Sequence, residues 1–177
     1  MRINSGKLGG RIIYSPNTRS TRPMTDKVRG ALFDILGPID GFMVLDAYAG
    51  SGALGFESIS RGADRVIAIE SGKQAINAIT KNVAGLDLGF QYQLVPSKVE
   101  SWLARKPDYN FDLIFFMPPY SIFDREIAEK VGSLLGQDGT LVIEFSRQQT
   151  PAELEHFRLV QARDYGDQKL AFYQRRT

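Results

Sequence analysis

The sequence predicts an α/β fold: a doubly wound, mostly parallel sheet of Rossmann-like type, with a C-terminal antiparallel hairpin and a short N-terminal β-hairpin and helix extension. Three observations carry that prediction. Apolar strand-like runs alternate with helix-periodic stretches through most of the 177 residues, the pattern of helices laid on both faces of a parallel sheet. The run Phe111-Asp112-Leu113-Ile114-Phe115-Phe116 is almost continuously apolar, as a strand covered on both faces requires. Near the end, two β-prone stretches flank Gly166-Asp167, a two-residue loop suited to a hairpin.

Taken in order, β-prone residues 2–4 and 11–14 surround the glycine-rich Ser5-Gly6-Lys7-Leu8-Gly9-Gly10 and read as a hairpin. Thr25 or Asp26 can cap a helix carrying Val28, Leu32, Ile35 and Leu36 on one face, and Gly37-Pro38 ends it. An apolar run from Phe42 to Leu45 leads through a glycine turn into a helix ending at Arg61-Gly62, and Arg65 to Glu70 reads as the second strand. A helix from about Lys73 to Ala84 precedes the strand Gln91 to Val95, and a further helical stretch covers Val99 to Arg105 with Trp102 turned inward. After the apolar run at 111–116 come a helix from about Asp124 to Leu135, a strand from Thr140 to Phe145, a short helix from about Pro151 to His156, and the terminal strand pair. No repeat or long linker interrupts this order, so residues 1–37 read as an N-terminal extension and 38–177 as the main domain.

Composition excludes several chemistries. With no cysteine, disulfides, thiolate catalysis and cysteine-ligated zinc are absent. The single histidine, His156, argues against a histidine metal cluster or a Ser-His-Asp triad and reads as a surface helix residue. No apolar run approaches the ~20 residues that cross a bilayer, and the N-terminus lacks a signal peptide's apolar segment, so a cytoplasmic protein is expected. A metal-free monomer is expected as well. The net charge of +2 is unevenly spread. Residues 1–29 hold Arg2, Lys7, Arg11, Arg19, Arg22, Lys27 and Arg29 against Asp26 alone, a local charge of +6. Such a segment suits a polyanion, although a solvated basic loop would have the same composition.

The chemistry concentrates in Val44-Leu45-Asp46-Ala47-Tyr48-Ala49-Gly50-Ser51-Gly52-Ala53-Leu54-Gly55. Gly50 and Gly52 let the backbone turn sharply and approach a ligand, and helix amides follow at once. The spacing Gly50, Gly52, Gly55 also fits a dinucleotide fingerprint or an ordinary strand-to-helix turn. Asp46, four residues before the first glycine, suits a cationic amino acid moiety such as that of S-adenosylmethionine better than a pyrophosphate. Glu70, at the end of the second strand and 18 residues beyond Gly52, stands where doubly wound folds place a carboxylate against ribose hydroxyls. Met117-Pro118-Pro119-Tyr120 cannot continue a strand, so the two prolines impose a rigid turn at the sheet's carboxyl edge and offer Tyr120 as a stacking surface.

Together, Asp46…Gly50-Ser51-Gly52, Glu70 and Pro118-Pro119-Tyr120 resemble class I S-adenosylmethionine-dependent methyltransferases that modify exocyclic amines of nucleobases. Met1-Arg2-Ile3…Gly10-Arg11, Thr21-Arg22-Pro23…Thr25-Asp26-Lys27-Val28-Arg29…Ala31-Leu32-Phe33 and the glycine stretch extend the likeness over essentially the whole chain. These stretches resemble the RsmD family of bacterial small-subunit rRNA guanine-N2 methyltransferases. The resemblance implies a cofactor site of Asp46, Tyr48, Ala49, Gly50, Ser51, Gly52, Glu70, Lys98 and Val99, and a catalytic turn of Met117, Pro118, Pro119 and Tyr120. It implies rRNA or the assembling small ribosomal subunit as partner, held by the basic residues up to Arg29, and makes 38–177 the methyltransferase domain.

Two positions depart from the family pattern. Where the family carries the Asp of Asp-Pro-Pro-Tyr, this chain has Met117, whose thioether is a poor acceptor for the target amine. Where it tends to carry Asp or Asn after the third strand, this chain has Lys98, which offers donors only. The Val99 N–H remains for adenine, and the carbonyls of Met117 and Pro118 remain for the amine. The expectation is slow or absent methylation, with a gain of about 10²-fold or more on Met117→Asp, by analogy with one electrostatic stabiliser of a transition state. A non-catalytic RNA-binding relative is the alternative reading. A nicotinamide-dependent oxidoreductase fits the glycine spacing but neither Pro118-Pro119-Tyr120 nor the basic front.

Overall fold

The computed structural model describes residues 1–16 and 24–176. Arg19, Arg22 and the Thr21-Arg22-Pro23 stretch lie outside the described residues. The elements are α1 (Asp26–Leu36), β1 (Met43–Ala47), α2 (Ala53–Ser60), β2 (Arg65–Glu70), α3 (Lys73–Gly85), β3 (Tyr92–Pro96), α4 (Val99–Leu103), β4 (Phe111–Phe116), α5 (Arg125–Gly132), β5 (Leu135–Ser146), β6 (Phe157–Tyr165) and β7 (Gln168–Arg175). A single 3-10 turn spans Tyr120–Ile122. The seven strands form one sheet in the order β3-β2-β1-β4-β5-β7-β6. All pairs from β3 to β5 are parallel, while β7 runs antiparallel to both β5 and β6.

Period-two alternation sorts each strand's side chains onto two cores. Val44 of β1 and Leu113 and Phe115 of β4 join one cluster with Leu32 and Phe33 of α1, Phe56 of α2 and Ile79 of α3. Leu45 of β1 and Ile114 and Phe116 of β4 join the other with Trp102 of α4 and Val131 of α5. Strand order reverses between β1 and β4, so the crevice at their carboxyl ends is the topological switch point where such sheets bind ligands.

The N-terminal segment is fastened to this body. Ile3 and Ile13 are buried in the cluster that holds α1 and α2. Glu57 of α2, fully buried, accepts hydrogen bonds from the backbone of Asn4 (2.7 Å) and Ser5 (3.1 Å) and pairs with Arg61 (2.8 Å). A β-carbon on Gly6 would stand 1.8 Å from the Ser60 carbonyl, which itself accepts from Lys7 N–H at 2.7 Å. Only glycine lets the loop approach that closely.

The structure differs from the sequence reading in three places. The N-terminal hairpin is short: one antiparallel bridge, Arg2 with Ile12, flanked by Ile3 N–H to Arg11 O (3.0 Å) and Ile13 N–H to Met1 O (3.0 Å), while Asn4 and Ser5 between the arms bond α1 and α2 instead. The helix expected to reach Leu135 stops at Gly132, whose missing β-carbon leaves room for the Phe157 ring, and Leu135 already pairs with Phe111. Pairing then slips by a bulge before Thr140 meets Leu113, so β5 begins five residues before the expected start at Thr140. Residues 151–156 form no helix. Their backbone is committed to distant partners: Tyr173 OH donates to Ala152 O (2.9 Å), Arg176 N–H to His156 O (2.9 Å), and Glu155 N–H to the Glu129 carboxylate. Six residues are in any case too few to sustain a helix against such competition. His156 is exposed, as expected of a surface residue, but sits in this irregular stretch beside Glu129.

Candidate active site

At the end of β1 the chain leaves the sheet through Tyr48, held at φ 67°, then Gly50 at 57° and Gly52 at 75°. A left-handed tyrosine is costly, and strain of this kind gathers at ligand sites. Ala49 N–H donates to Ile69 O (3.0 Å), and Gly52 N–H to Ala49 O (2.8 Å), so the turn is tied to β2 and closed on itself before α2 begins. The Tyr48 hydroxyl donates to Glu100 on α4 at 3.0 Å, tying the turn to the loop after β3 as well.

The glycines divide their labour. A β-carbon on Gly50 would meet nothing within 4 Å, so the space beside it is open. One on Gly52 would lie 2.7 Å from the Tyr92 hydroxyl, and one on Gly55 2.6 Å from the Tyr92 ring. Gly52 and Gly55 are thus needed for packing α2 on β3. Gly52, counted as a cofactor residue from the motif, does not line the cavity described below.

Asp46 is 1% exposed and accepts from Gly55 N–H at 3.2 Å. Burial pushes its carboxyl up to about 7, with the Gly55 bond pulling the other way and the nearby Glu70 charge adding to the rise. Glu70 folds over the glycine turn: Oε2 accepts from Gly50 N–H (2.7 Å), while Oε1 accepts from Ser71 N–H (2.7 Å) and Gly72 N–H (2.6 Å). Oε2 keeps a second acceptor position. These two acids suit opposite ends of a ligand that is cationic at one end and carries ribose hydroxyls nearer the other.

After β4, Met117 N–H reaches Ala47 O at 3.4 Å, and Pro118-Pro119 deliver Tyr120 into its 3-10 turn. Met117 is partly buried against the core that holds Phe115. Tyr120 is 41% exposed, and its hydroxyl donates to Glu144 Oε1 at 2.6 Å. Lys98 is exposed at the N-cap of α4, and Val99 N–H lies in the helix's first turn, where no intrahelical acceptor exists.

Among the predicted site residues, Asp46, Tyr48, Ala49, Gly50, Ser51, Glu70, Lys98, Val99, Met117, Pro118, Pro119 and Tyr120 line one cavity of about 1200 Å³. That exceeds the ~300–1,000 Å³ of a site for one drug-sized ligand, leaving room for a second group beside a cofactor. The same cavity is lined by Glu144 and Gln168, which the sequence reading did not single out. The signal was present: Glu144 is the one acid inside the apolar run Leu141-Val142-Ile143-Glu144-Phe145. A charge placed there has to be compensated.

The basic front is only partly available to a polyanion. Arg2, Lys7, Arg11 and Lys27 are exposed, with Lys7 donating to Gln91 at 3.2 Å. Arg29 is a correction to the expected RNA-binding set: it is 1% exposed. Its guanidinium bonds to Arg2 O, Asn4 Oδ1 (2.9 Å), Asp26 (2.9 Å) and Glu57 (3.4 Å). It holds the N-terminal segment on α1 and α2, and it borders the cavity from within. Among the described residues no His, Asp and Glu cluster could hold a metal ion, and no helix is long and apolar enough to cross a membrane.

Comparison with known proteins identifies the family. The family described as "Conserved hypothetical protein 95" matches residues 1–174. The Bacillus subtilis protein YlbH, named as a candidate rRNA methyltransferase, is 32% identical over 99% of this chain and 100% of its own length. Ribosomal RNA small subunit methyltransferase D of Escherichia coli K12 is 37% identical over 81% of this chain and 71% of its own. The solved structure of Escherichia coli yhhF, described as a candidate methyltransferase, superposes with a TM-score of 0.86 at 29% identity, covering 99% of this chain and 97% of that one. The chain belongs to the conserved hypothetical protein 95 family, the RsmD-like family of rRNA methyltransferases.

Proposed function

We propose that this protein transfers the methyl group of S-adenosylmethionine to the exocyclic N2 amine of a guanine in small-subunit rRNA. The observation that carries the proposal is the single cavity joining the glycine turn, with Asp46 and Glu70, to the Pro118-Pro119-Tyr120 turn. Bound S-adenosylmethionine supplies an electrophilic methyl group on a sulfonium. Asp46, once ionised, favours the cationic amino acid end, and Glu70 accepts from the ribose while keeping the glycine turn in place. Val99 N–H is the donor available to the adenine. The Tyr120 ring receives the base extruded from the RNA, and the Met117 and Pro118 carbonyls accept hydrogen bonds from the amine so that the nitrogen lone pair is aimed at the methyl carbon.

On this reading residues 1–37 act as the RNA-binding extension of a methyltransferase unit formed by 38–177. The protein then works in rRNA maturation in the cytoplasm, as a monomer. The test is incubation of unmodified small-subunit rRNA with the protein and labelled cofactor, followed by nucleoside mass spectrometry. N2-methylguanosine is the expected product. Label on another base, or on a ring nitrogen of guanine, would overturn the substrate assignment.

A further inference from the structure

The missing carboxylate at Met117 has a neighbour. In the parallel ladder Phe116 of β4 pairs with Ile143 of β5. The next residues on the two strands, Met117 and Glu144, therefore stand side by side at the carboxyl edge of the sheet, and both line the cavity with Tyr120 and Gln168. Adjacent strands lie about 4.8 Å apart, so a side chain from β5 can reach the corner that one from β4 would otherwise occupy.

Glu144 is held in a definite pose. Its Oε1 accepts from the Tyr120 hydroxyl at 2.6 Å and from Gln168 Nε2 at 2.9 Å. Those donors sit on different elements, the turn after β4 and the start of β7. A carboxylate offers about four acceptor positions, so two donors leave it capable of accepting more, and among the described residues no hydrogen bond reaches Oε2. Burial raises its pKa while the two donors lower it. The strand on either side is apolar, with Ile143 fully buried and Phe145 3% exposed. An acid in such a run is expensive unless something uses its charge.

We propose that Glu144 is the specificity-determining residue for the base: its carboxylate accepts from N1–H and one N2–H of guanine, supplying from β5 the acceptor that β4 lacks. This rests on the guanine reading proposed above. Guanine presents N1–H and the N2 amine as two adjacent donors on its Watson–Crick edge, and Oε2, whose acceptor positions are the open ones, can take the pair. Adenine presents an acceptor at N1, which the carboxylate would repel. Tyr120 then has two connected tasks, stacking on the base and fixing Glu144 through its hydroxyl. The second N2–H remains for a backbone carbonyl of Met117 or Pro118.

The test compares an RNA carrying guanine at the mapped methylation position with the same RNA carrying 2-aminopurine there. The analogue keeps the 2-amine but replaces N1–H by a lone pair. Wild-type protein should prefer guanine in kcat/KM by about 100-fold or more, since a site built to bond a donor rejects an analogue that lacks it. Glu144→Gln can donate to the unprotonated N1, so it should lose guanine turnover by about 100-fold yet narrow or invert the preference. Glu144→Asp keeps the charge with a shorter reach, so it should lose turnover while still preferring guanine. Calorimetry with S-adenosylhomocysteine should give unchanged affinity for both variants. If Glu144→Gln slows both RNAs equally, or neither, Glu144 only braces Tyr120 and the inference is overturned. If wild-type protein makes no N2-methylguanosine at all, the functional reading itself fails, a result separate from any change in preference.

Discussion

Asp46 is a buried acid whose folded form holds its proton up to about pH 7, against about 4 for an unfolded Asp. Between those values the native state keeps a proton that the unfolded chain has released. Stability from this group is therefore highest below about pH 4 and declines as pH rises through 7. Urea unfolding at pH 4 and pH 8 should show Asp46→Asn close to wild type at the lower pH and more stable at the higher, by on the order of a few kcal/mol. The same variant should weaken S-adenosylhomocysteine binding at pH 8, where the ionised acid faces the ligand's cation. Met117 yields a second prediction at this scale. The sequence alone points to a gain of about 10²-fold on Met117→Asp, but the Glu144 carboxylate already stands beside this position. Two like charges would share one half-buried corner, one of them held protonated. Single-turnover methyl transfer by Met117→Asp should thus change by less than about tenfold. Asp46 and Glu70 were legible in the sequence because a strand end and a glycine turn fix where they fall. Glu144 stood out only as an acid in an apolar run, and what it and Arg29 hold was not legible, because their partners Tyr120, Gln168, Asn4 and Glu57 are remote in the chain and joined only by the fold.

At the scale of elements, α2 is placed by the contact of Gly52 and Gly55 with Tyr92 of β3, whose ring stacks on Phe56 with centroids 4.5 Å apart. The Tyr92 hydroxyl is buried with no hydrogen-bond partner among the described residues. Tyr92→Phe should therefore raise stability by ~1 kcal/mol or leave it unchanged, since an unsatisfied hydroxyl costs about 1–3 kcal/mol. Gly55→Ala should lower it by about 1–3 kcal/mol through overpacking, and in the double variant part of that stability should return, because the hydroxyl at 2.9 Å is one of the atoms the new methyl would meet. Equilibrium denaturation of the three variants beside the wild type measures the coupling. Most elements were readable from periodicity, because β1, β2 and β4 are almost wholly buried and α3 carries one apolar face. The early start of β5 and the unwound 151–156 stretch were not readable. The first depends on Leu135 pairing with Phe111 and on the Phe157 ring packed at Gly132, the second on Tyr173 and Arg176 bonding its carbonyls from the end of the chain.

Across the whole molecule, charge and attachment are arranged together. The first 29 residues carry +6 while the whole chain carries +2, so the remainder is acidic. Buried bonds from Glu57 and Arg29 fasten residues 1–16 of this basic segment beside the cavity lined by Asp46 and Glu70. A polyanion drawn to the front would be held next to the site of chemistry, with its affinity governed by counterion release. The exposed Arg2, Arg11 and Lys27 are therefore separable from the buried Arg29. Reversing the three exposed charges to Glu should weaken rRNA binding and flatten its dependence on salt, by about 0.7–0.9 in the log-log slope for each phosphate that is no longer neutralised, while S-adenosylhomocysteine affinity stays unchanged. Arg29→Ala should behave differently: it strands buried Glu57 beside only Arg61 and the Asn4 and Ser5 amides, so it should lower the unfolding free energy by about 3–5 kcal/mol. Its effect on RNA binding should follow from loosening residues 1–16 and disappear from the salt slope. Filter binding across a salt series, read beside thermal unfolding of the same variants, separates the two. A salt slope lowered by Arg29→Ala in a protein of wild-type stability would return Arg29 to the RNA surface and refute its role as the fastening of the N-terminal segment.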